Sequence, residues 1–156
     1  MDILNLRSID SRVNQYLACE SLINKFFSLV GECKEDCLNG TSCCNYNFFI
    51  GISKDVSEVF DSEREKLYGG LDFGMPCAYL SEKGCRLKSY KSPACISFAC
   101  NPLIGYLMEQ YNIDWNYDEI RLALEDILEG LAIQEEVDDL KSKIKNFISI
   151  VEKSKV

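Results

Sequence analysis

The sequence predicts a mainly α-helical single domain, with helices at both ends covering an irregular cysteine-rich segment that includes a small β-hairpin. Three observations predict this. Apolar residues recur at helical spacings over residues 8–30 and 117–153. Eight of the nine cysteines fall between Cys33 and Cys100, where glycine, asparagine and proline interrupt any regular period. At 156 residues, 47% of them apolar, the chain is long enough for one hydrophobic core and too short for two ordinary ones. Residues 1–156 are therefore read as one domain, with its cysteine-cluster core at about 31–101.

The first helix carries Val13, Tyr16, Ile23, Phe26, Phe27 and Val30 on one face, has Ser8 or Asp10 as its cap, and ends near Gly31. Cys19 lies on the same face, three residues after Tyr16 and four before Ile23. It reads as an inert core thiol, because free cysteine is among the most buried residue types. Residues 31–46 are too punctuated for a regular element and form a ligand-bearing loop. Asn47 to Ile52 reads as a short extended piece. Ser53 and Asp55 then open a helix with Val56, Val59, Phe60 and Leu67 on its apolar side, stopped by Gly69 and Gly70.

The stretch from Cys77 to Leu87 suggests a small hairpin that turns at Ser81 to Gly84, with Cys77 facing Cys85 across it. Ser92-Pro93 and Asn101-Pro102 each join a good cap residue to a proline at the first helical position, so a helix starts at each. Cys95 then falls in the first turn of one and Cys100 just before the other, where the positive end of a helix favours a thiolate. Downstream, Ile120, Leu124, Ile127, Leu128 and Leu131 make one helical stripe. Val137, Leu140, Ile144, Phe147 and Val151 make a second, and the two helices form a supporting hairpin near Gly130. The acids Glu125, Glu135, Glu136, Asp138 and Asp139 read as a solvated face, since the alternation and turn glycine of a calcium loop are absent.

The cysteines carry the chemistry. Cys33, Cys37, Cys43 and Cys44 read C-x3-C-x5-C-C, and Cys77, Cys85, Cys95 and Cys100 read C-x7-C-x9-C-x4-C. Soft thiolates select zinc, copper(I) or an iron–sulfur cluster, and a chain without histidine offers no imidazole to share the site. All eight are candidate metal ligands. Adjacent side chains in extended backbone point to opposite faces, so one of Cys43 and Cys44 can ligate while the other looks away. Eight sulfurs thus do not by themselves make two four-ligand sites. The four-residue step from Cys33 to Cys37 can put both sulfurs on one side of a helical turn or of a loop wrapped round a metal.

Composition bounds the rest. An odd cysteine count, with no visible secretory signal, argues against a disulfide framework and for a reduced, cytoplasmic protein. No apolar run approaches the roughly 20 residues of a spanning helix. No membrane is therefore expected as a partner, since nothing demands surface attachment either; the formal charge of −8 repels phosphate backbones, so no nucleic acid is expected, and any protein partner is unknown. The absence of histidine removes Cys–His nucleophilic catalysis, and no C-x-x-C follows a βαβ pattern. Tyr79, Tyr90, Phe98 and Trp115 read as packing around the cysteines.

Two segments, CKEDCLNGTSCC and MPCAYLSEKGCRLKSYKSPACISFAC, together resemble the YkgJ-type cysteine-cluster family, described as zinc- or iron-chelating proteins. The resemblance covers roughly residues 33 to 100. It rests on the Cys43-Cys44 pair, Pro76-Cys77 with Leu80, Cys85 with a displaced Tyr90, and Pro93 with Cys95. The sequence departs from the pattern at Ser92 and Ile96, where the family commonly has arginine. The spacing of Cys33, Cys37 and Cys43 is also similar to the cysteine-rich region of flagellin lysine methylases, which implies a 4Fe-4S cluster over zinc. No glycine fingerprint for a nucleotide follows a strand, so an iron–sulfur-dependent protein lysine methyltransferase is the second reading, and a metal-stapled interaction module the third.

Overall fold

A computed structural model describes residues 8–31, 52–68, 80–81, 84–85, 89–99 and 101–155. The described chain is mainly helical. Helix α1 spans Ile9–Val30. Ser8 caps it in extended backbone, its hydroxyl accepting the Ser11 N–H at 3.2 Å, and Asp10 in the first turn complements the positive end of the helix dipole. Gly31 ends it in the left-handed region at φ 76°, its N–H donating to the Phe27 carbonyl at 3.0 Å. An L side chain would be strained there, which is why the helix stops at a glycine.

Helix α2 spans Lys54–Tyr68. Strands β1 (Leu80–Ser81) and β2 (Gly84–Cys85) pair antiparallel, Leu80 opposite Cys85 and Ser81 opposite Gly84. The cross-strand partner of Cys85 is therefore Leu80 and not Cys77, which the sequence had set facing it. Helix α3 spans Pro93–Ser97, α4 Asn101–Tyr111, α5 Tyr117–Glu129 and α6 Gln134–Ser154.

The core is a three-helix layer. Helix α1 packs most extensively on α6 and next on α5, while α5 and α6 also pack on each other. Lys141 near the start of α6 reaches Gln15 near the start of α1 at 3.3 Å, and Lys155 beyond the end of α6 donates to the Leu29 carbonyl. Starts meet and ends meet, so α1 and α6 run parallel. The supporting hairpin expected from sequence is thus completed by the first helix of the chain.

The turn between α5 and α6 is a Schellman motif. Gly130 sits at φ 77°, its N–H donating to Ile127 at 3.3 Å, and the Leu131 N–H reaches back to Asp126 at 2.8 Å. This overturns one core assignment: Leu131 lies beyond the helix and is 67% exposed, while Ala132 turns inward and is buried. Leu67 on α2 is likewise 56% exposed. Helix α6 begins with half of a capping box, the Glu136 carboxylate accepting the Ile133 N–H at 3.0 Å, because isoleucine has no side-chain acceptor to complete it. All five apolar residues of its predicted stripe are buried. The acids Glu135, Glu136, Asp138 and Asp139 are exposed, as a solvated face requires, whereas Glu125 is half-buried and pairs with Arg121 at 3.1 Å.

Trp115 anchors the middle of the layer. It is buried, stacks on Phe26 at 5.2 Å between centroids, and meets Phe27 edge-on at 4.8 Å and Phe147 at 6.1 Å. Its indole N–H donates to the Ser97 carbonyl at 2.8 Å, which ties the C-terminal end of α3 to the core. No helix among the described residues is long and apolar enough to cross a membrane.

Candidate functional site

Of the eight candidate ligands, Cys33, Cys37, Cys43, Cys44, Cys77 and Cys100 lie outside the described residues, as do the loop at 32–46 and the extended piece up to residue 51. Cys85 is described by its main chain, on β2. Cys95 stands in the first turn of α3, partly exposed. Among the described residues no three histidine, cysteine, aspartate or glutamate side chains group closely enough to hold a metal ion. Cys19 is fully buried on the apolar face of α1, where burial pushes its thiol up to about 11. A thiol so placed stays protonated and unreactive, and it is separate in kind from the partly exposed Cys95.

Cys95 is held from both directions. Downstream, the Ser97 hydroxyl donates to the Pro93 carbonyl at 2.6 Å and the Ser97 carbonyl is taken by Trp115. Upstream, Ser92 caps α3 as its sequence indicated, the hydroxyl accepting the Cys95 N–H at 3.2 Å, with Pro93 at the first helical position. Ser92 and Ser97 are both completely buried.

Just before Ser92, all four main-chain polar groups of Tyr90 and Lys91 are bonded by side chains of α1 and α2. The Glu20 carboxylate accepts the Tyr90 N–H at 3.0 Å on one oxygen and the Lys91 N–H at 2.7 Å on the other. Arg64 donates through Nε to the Tyr90 carbonyl at 2.7 Å, and the Tyr16 hydroxyl donates to the Lys91 carbonyl. Tyr16, Glu20 and Arg64 are buried, at 0%, 2% and 7% exposure. Three buried polar side chains thus satisfy two consecutive residues of an otherwise irregular segment, as buried main-chain groups require.

The clamp holds unusual backbone. Tyr90 adopts φ 59°, a left-handed conformation that is uncommon for a bulky residue and costs of the order of 1 kcal/mol or more. Its ring meets Phe60 edge-on at 5.5 Å, and Phe60 in turn contacts Tyr16 at 5.5 Å and lies beneath the Arg64 guanidinium at 6.0 Å. The ring packing assigned to Tyr90 from sequence is therefore against α2, and Phe98 packs on Tyr117 at 5.6 Å.

Electrostatically the site is tense. Burial pushes the Glu20 carboxyl up to about 7, although the Lys91 and Tyr90 N–H groups and the positive charges of Lys91 and Arg64 pull the other way. The Tyr16 hydroxyl is raised well above its ordinary value, first by burial and then by Glu20 and Cys95, so it stays a donor. The Lys91 ammonium reaches Asn24 at 3.5 Å.

Sequence reasoning assigned neither Glu20 nor Arg64, yet a signal was present. Glu20 follows Tyr16 by four and precedes Ile23 by three, and Arg64 follows Phe60 by four. Each is an ionisable residue on an apolar helical face, where it must find a partner. Compared with protein-family models, with curated proteins and with solved structures, the chain matches none of them.

Proposed function

We propose that this protein binds a soft metal centre, a 4Fe-4S cluster or zinc, through cysteines of the segment from Cys33 to Cys100, and that it does so in the reducing cytoplasm. The observation that carries the reading is the donor set: eight thiols within one irregular segment and no histidine anywhere. The likeness to the YkgJ-type cysteine-cluster family supports the same chemistry, and the resemblance of the C-x3-C-x5-C step to the cysteine-rich region of flagellin lysine methylases favours iron–sulfur over zinc. The irregular cysteine-rich segment is then the metal-binding part of a helical domain, with α1, α5 and α6 as its support.

Anaerobic purification followed by metal and inorganic sulfide analysis tests this. The expected result is near-stoichiometric iron with sulfide and a brown colour, or else near-stoichiometric zinc. Metal-free protein whose cysteines form stoichiometric disulfides overturns it.

A further inference from the structure

We infer that Glu20 is the proton-sensitive catch of a local latch: the segment from Ser89 to Ser92 releases from α1 and α2 as Glu20 gives up its proton, while the helical layer stays folded. The basis is a cluster of groups at one place. A single side chain, 2% exposed, takes the N–H groups of two consecutive residues on its two oxygens, at 3.0 and 2.7 Å. Arg64 and Tyr16 take the two carbonyls of the same residues. These four bonds hold or release together, since all of them join one short irregular stretch to two helices. Tyr90 gives that stretch a second state to move to, because its left-handed backbone at φ 59° relaxes once the grip is lost.

Satisfying these N–H groups requires an acceptor but not an acid. A glutamine carbonyl also has two lone pairs and does not titrate, so a carboxyl at this position adds a dependence on pH that packing alone does not need. Its surroundings set the direction. Helix α1 contributes the Tyr16 hydroxyl one turn before it, α2 the Arg64 guanidinium, and the segment itself the Lys91 ammonium. Helix α3 brings Cys95, which acts on Tyr16, and α6 brings Lys141 and Asp138, which act on Cys19. Helix α5 turns Ile120, Leu124, Ile127 and Leu128 inward. Burial outweighs the two positive groups and the two N–H donors and pushes the carboxyl up to about 7. The closed latch thus favours the protonated acid, and the open one, with Glu20 in water, favours the carboxylate. Opening releases a proton, so rising pH promotes it from about 4.5 until the closed form also ionises near 7.

The test is amide hydrogen exchange of the full chain, read at Tyr90 and Lys91 between about pH 5 and about pH 8 and corrected for intrinsic exchange, in wild type, Glu20→Gln and Tyr16→Phe. In wild type the opening constant of both amides should rise about tenfold per pH unit up to about pH 7 and then level off. Glu20→Gln should show no such rise. Tyr16→Phe removes a hydroxyl that does not ionise in this range, so it should open more at every pH and keep the wild-type slope. It also reports where Glu20→Gln does not fold. Amides in the buried middle of α1 and α6 should keep their protection throughout. All three proteins carry the same thiols, so an effect of pH on bound metal is common to them. A wild-type profile that is flat or falls with pH overturns the inference, as does a rise that Glu20→Gln shares or that the helix amides follow in parallel.

Discussion

Glu20, in the middle of the apolar face of α1, accepts the main-chain N–H of Lys91 at 2.7 Å from seventy-one residues away in sequence. The bond joins the most regular part of the chain to one of its least regular. Its cost is the burial of a carboxylate, and that cost has a measurable signature.

A carboxyl raised from 4.5 to about 7 binds a proton in the folded chain that the unfolded chain releases. Stability from this group is therefore fully present below about pH 4.5 and is lost as pH rises through about 7. Relative to Glu20→Gln, which does not titrate, wild type should lose about 2–3 kcal/mol between about pH 5 and about pH 8. Urea unfolding of both proteins across that range measures the difference. A difference that stays flat, or that grows in favour of wild type with rising pH, shows that the hydrogen bonds from Tyr90 and Lys91 outweigh desolvation.

The end helices were legible in the sequence because each buries its own periodic stripe. Val13, Tyr16, Ile23 and Phe26 on α1, and Val137, Leu140, Ile144 and Phe147 on α6, are all buried at the spacing that announces them. Single-residue signals worked too, since Ser8, Ser92, Gly31 and Gly130 act locally through their own hydroxyl or backbone freedom. Leu131 was misread because it continues the i, i+3 series of α5 one step past Gly130, and periodicity cannot see that the left-handed glycine has already turned the chain. The clamp was not legible because its partners, Glu20 and Lys91, are far apart in sequence and main-chain groups carry no residue identity. The pairing of Leu80 with Cys85 was missed for a related reason: a hairpin register depends on which residues occupy the turn, and a shift of a few positions leaves the composition unchanged.

Trp115 is the one tryptophan of the chain and a built-in reporter. Trp115→Phe keeps much of the ring stack on Phe26 but leaves the buried Ser97 carbonyl without its donor, and should destabilise by about 1–3 kcal/mol. Trp115→Ala also opens a cavity and should cost about 3–5 kcal/mol. Denaturant midpoints give both values. Equal losses for the two variants would mean that the hydrogen bond, and not ring packing, dominates at this site.

Cys19 should be silent toward metal and toward reagents. Its thiol is fully buried and raised to about 11, so alkylation of native protein at mildly alkaline pH should spare it until the chain unfolds. Cys19→Ser places a hydroxyl in an apolar face and should cost about 1–3 kcal/mol of stability while leaving metal content unchanged. Cys37→Ser, by contrast, should lower metal content, as should serine at Cys33, Cys43 or Cys77, since serine is a poor ligand for soft metals. Metal analysis of this set decides the matter: loss of metal in Cys19→Ser with retention in Cys37→Ser would reverse the division between core and ligand cysteines.

Metal removal should loosen the centre of the chain and spare its ends, along a boundary that the clamp makes sharp. Helices α1, α5 and α6 bury their stripes on one another, so far-UV helical signal should change little on chelation. Residues 31–46 have little apolar periodicity to order them, and where ligands come from such segments the binding free energy, about 10 kcal/mol or more for structural zinc, becomes folding free energy. Their amides should therefore lose protection. The same would hold for all of residues 71–101 if metal alone ordered them, but Tyr90 and Lys91 donate into Glu20 and Ser97 is held by Trp115, bonds made between protein groups of the helical core. Hydrogen exchange on holo and chelator-treated protein should thus show residues 89–99 remaining protected while residues 31–46 exchange. Loss of protection across both stretches together would make the clamp a consequence of metal binding, and equal protection of residues 31–46 in both forms would show that packing, not metal, holds the cysteine loop.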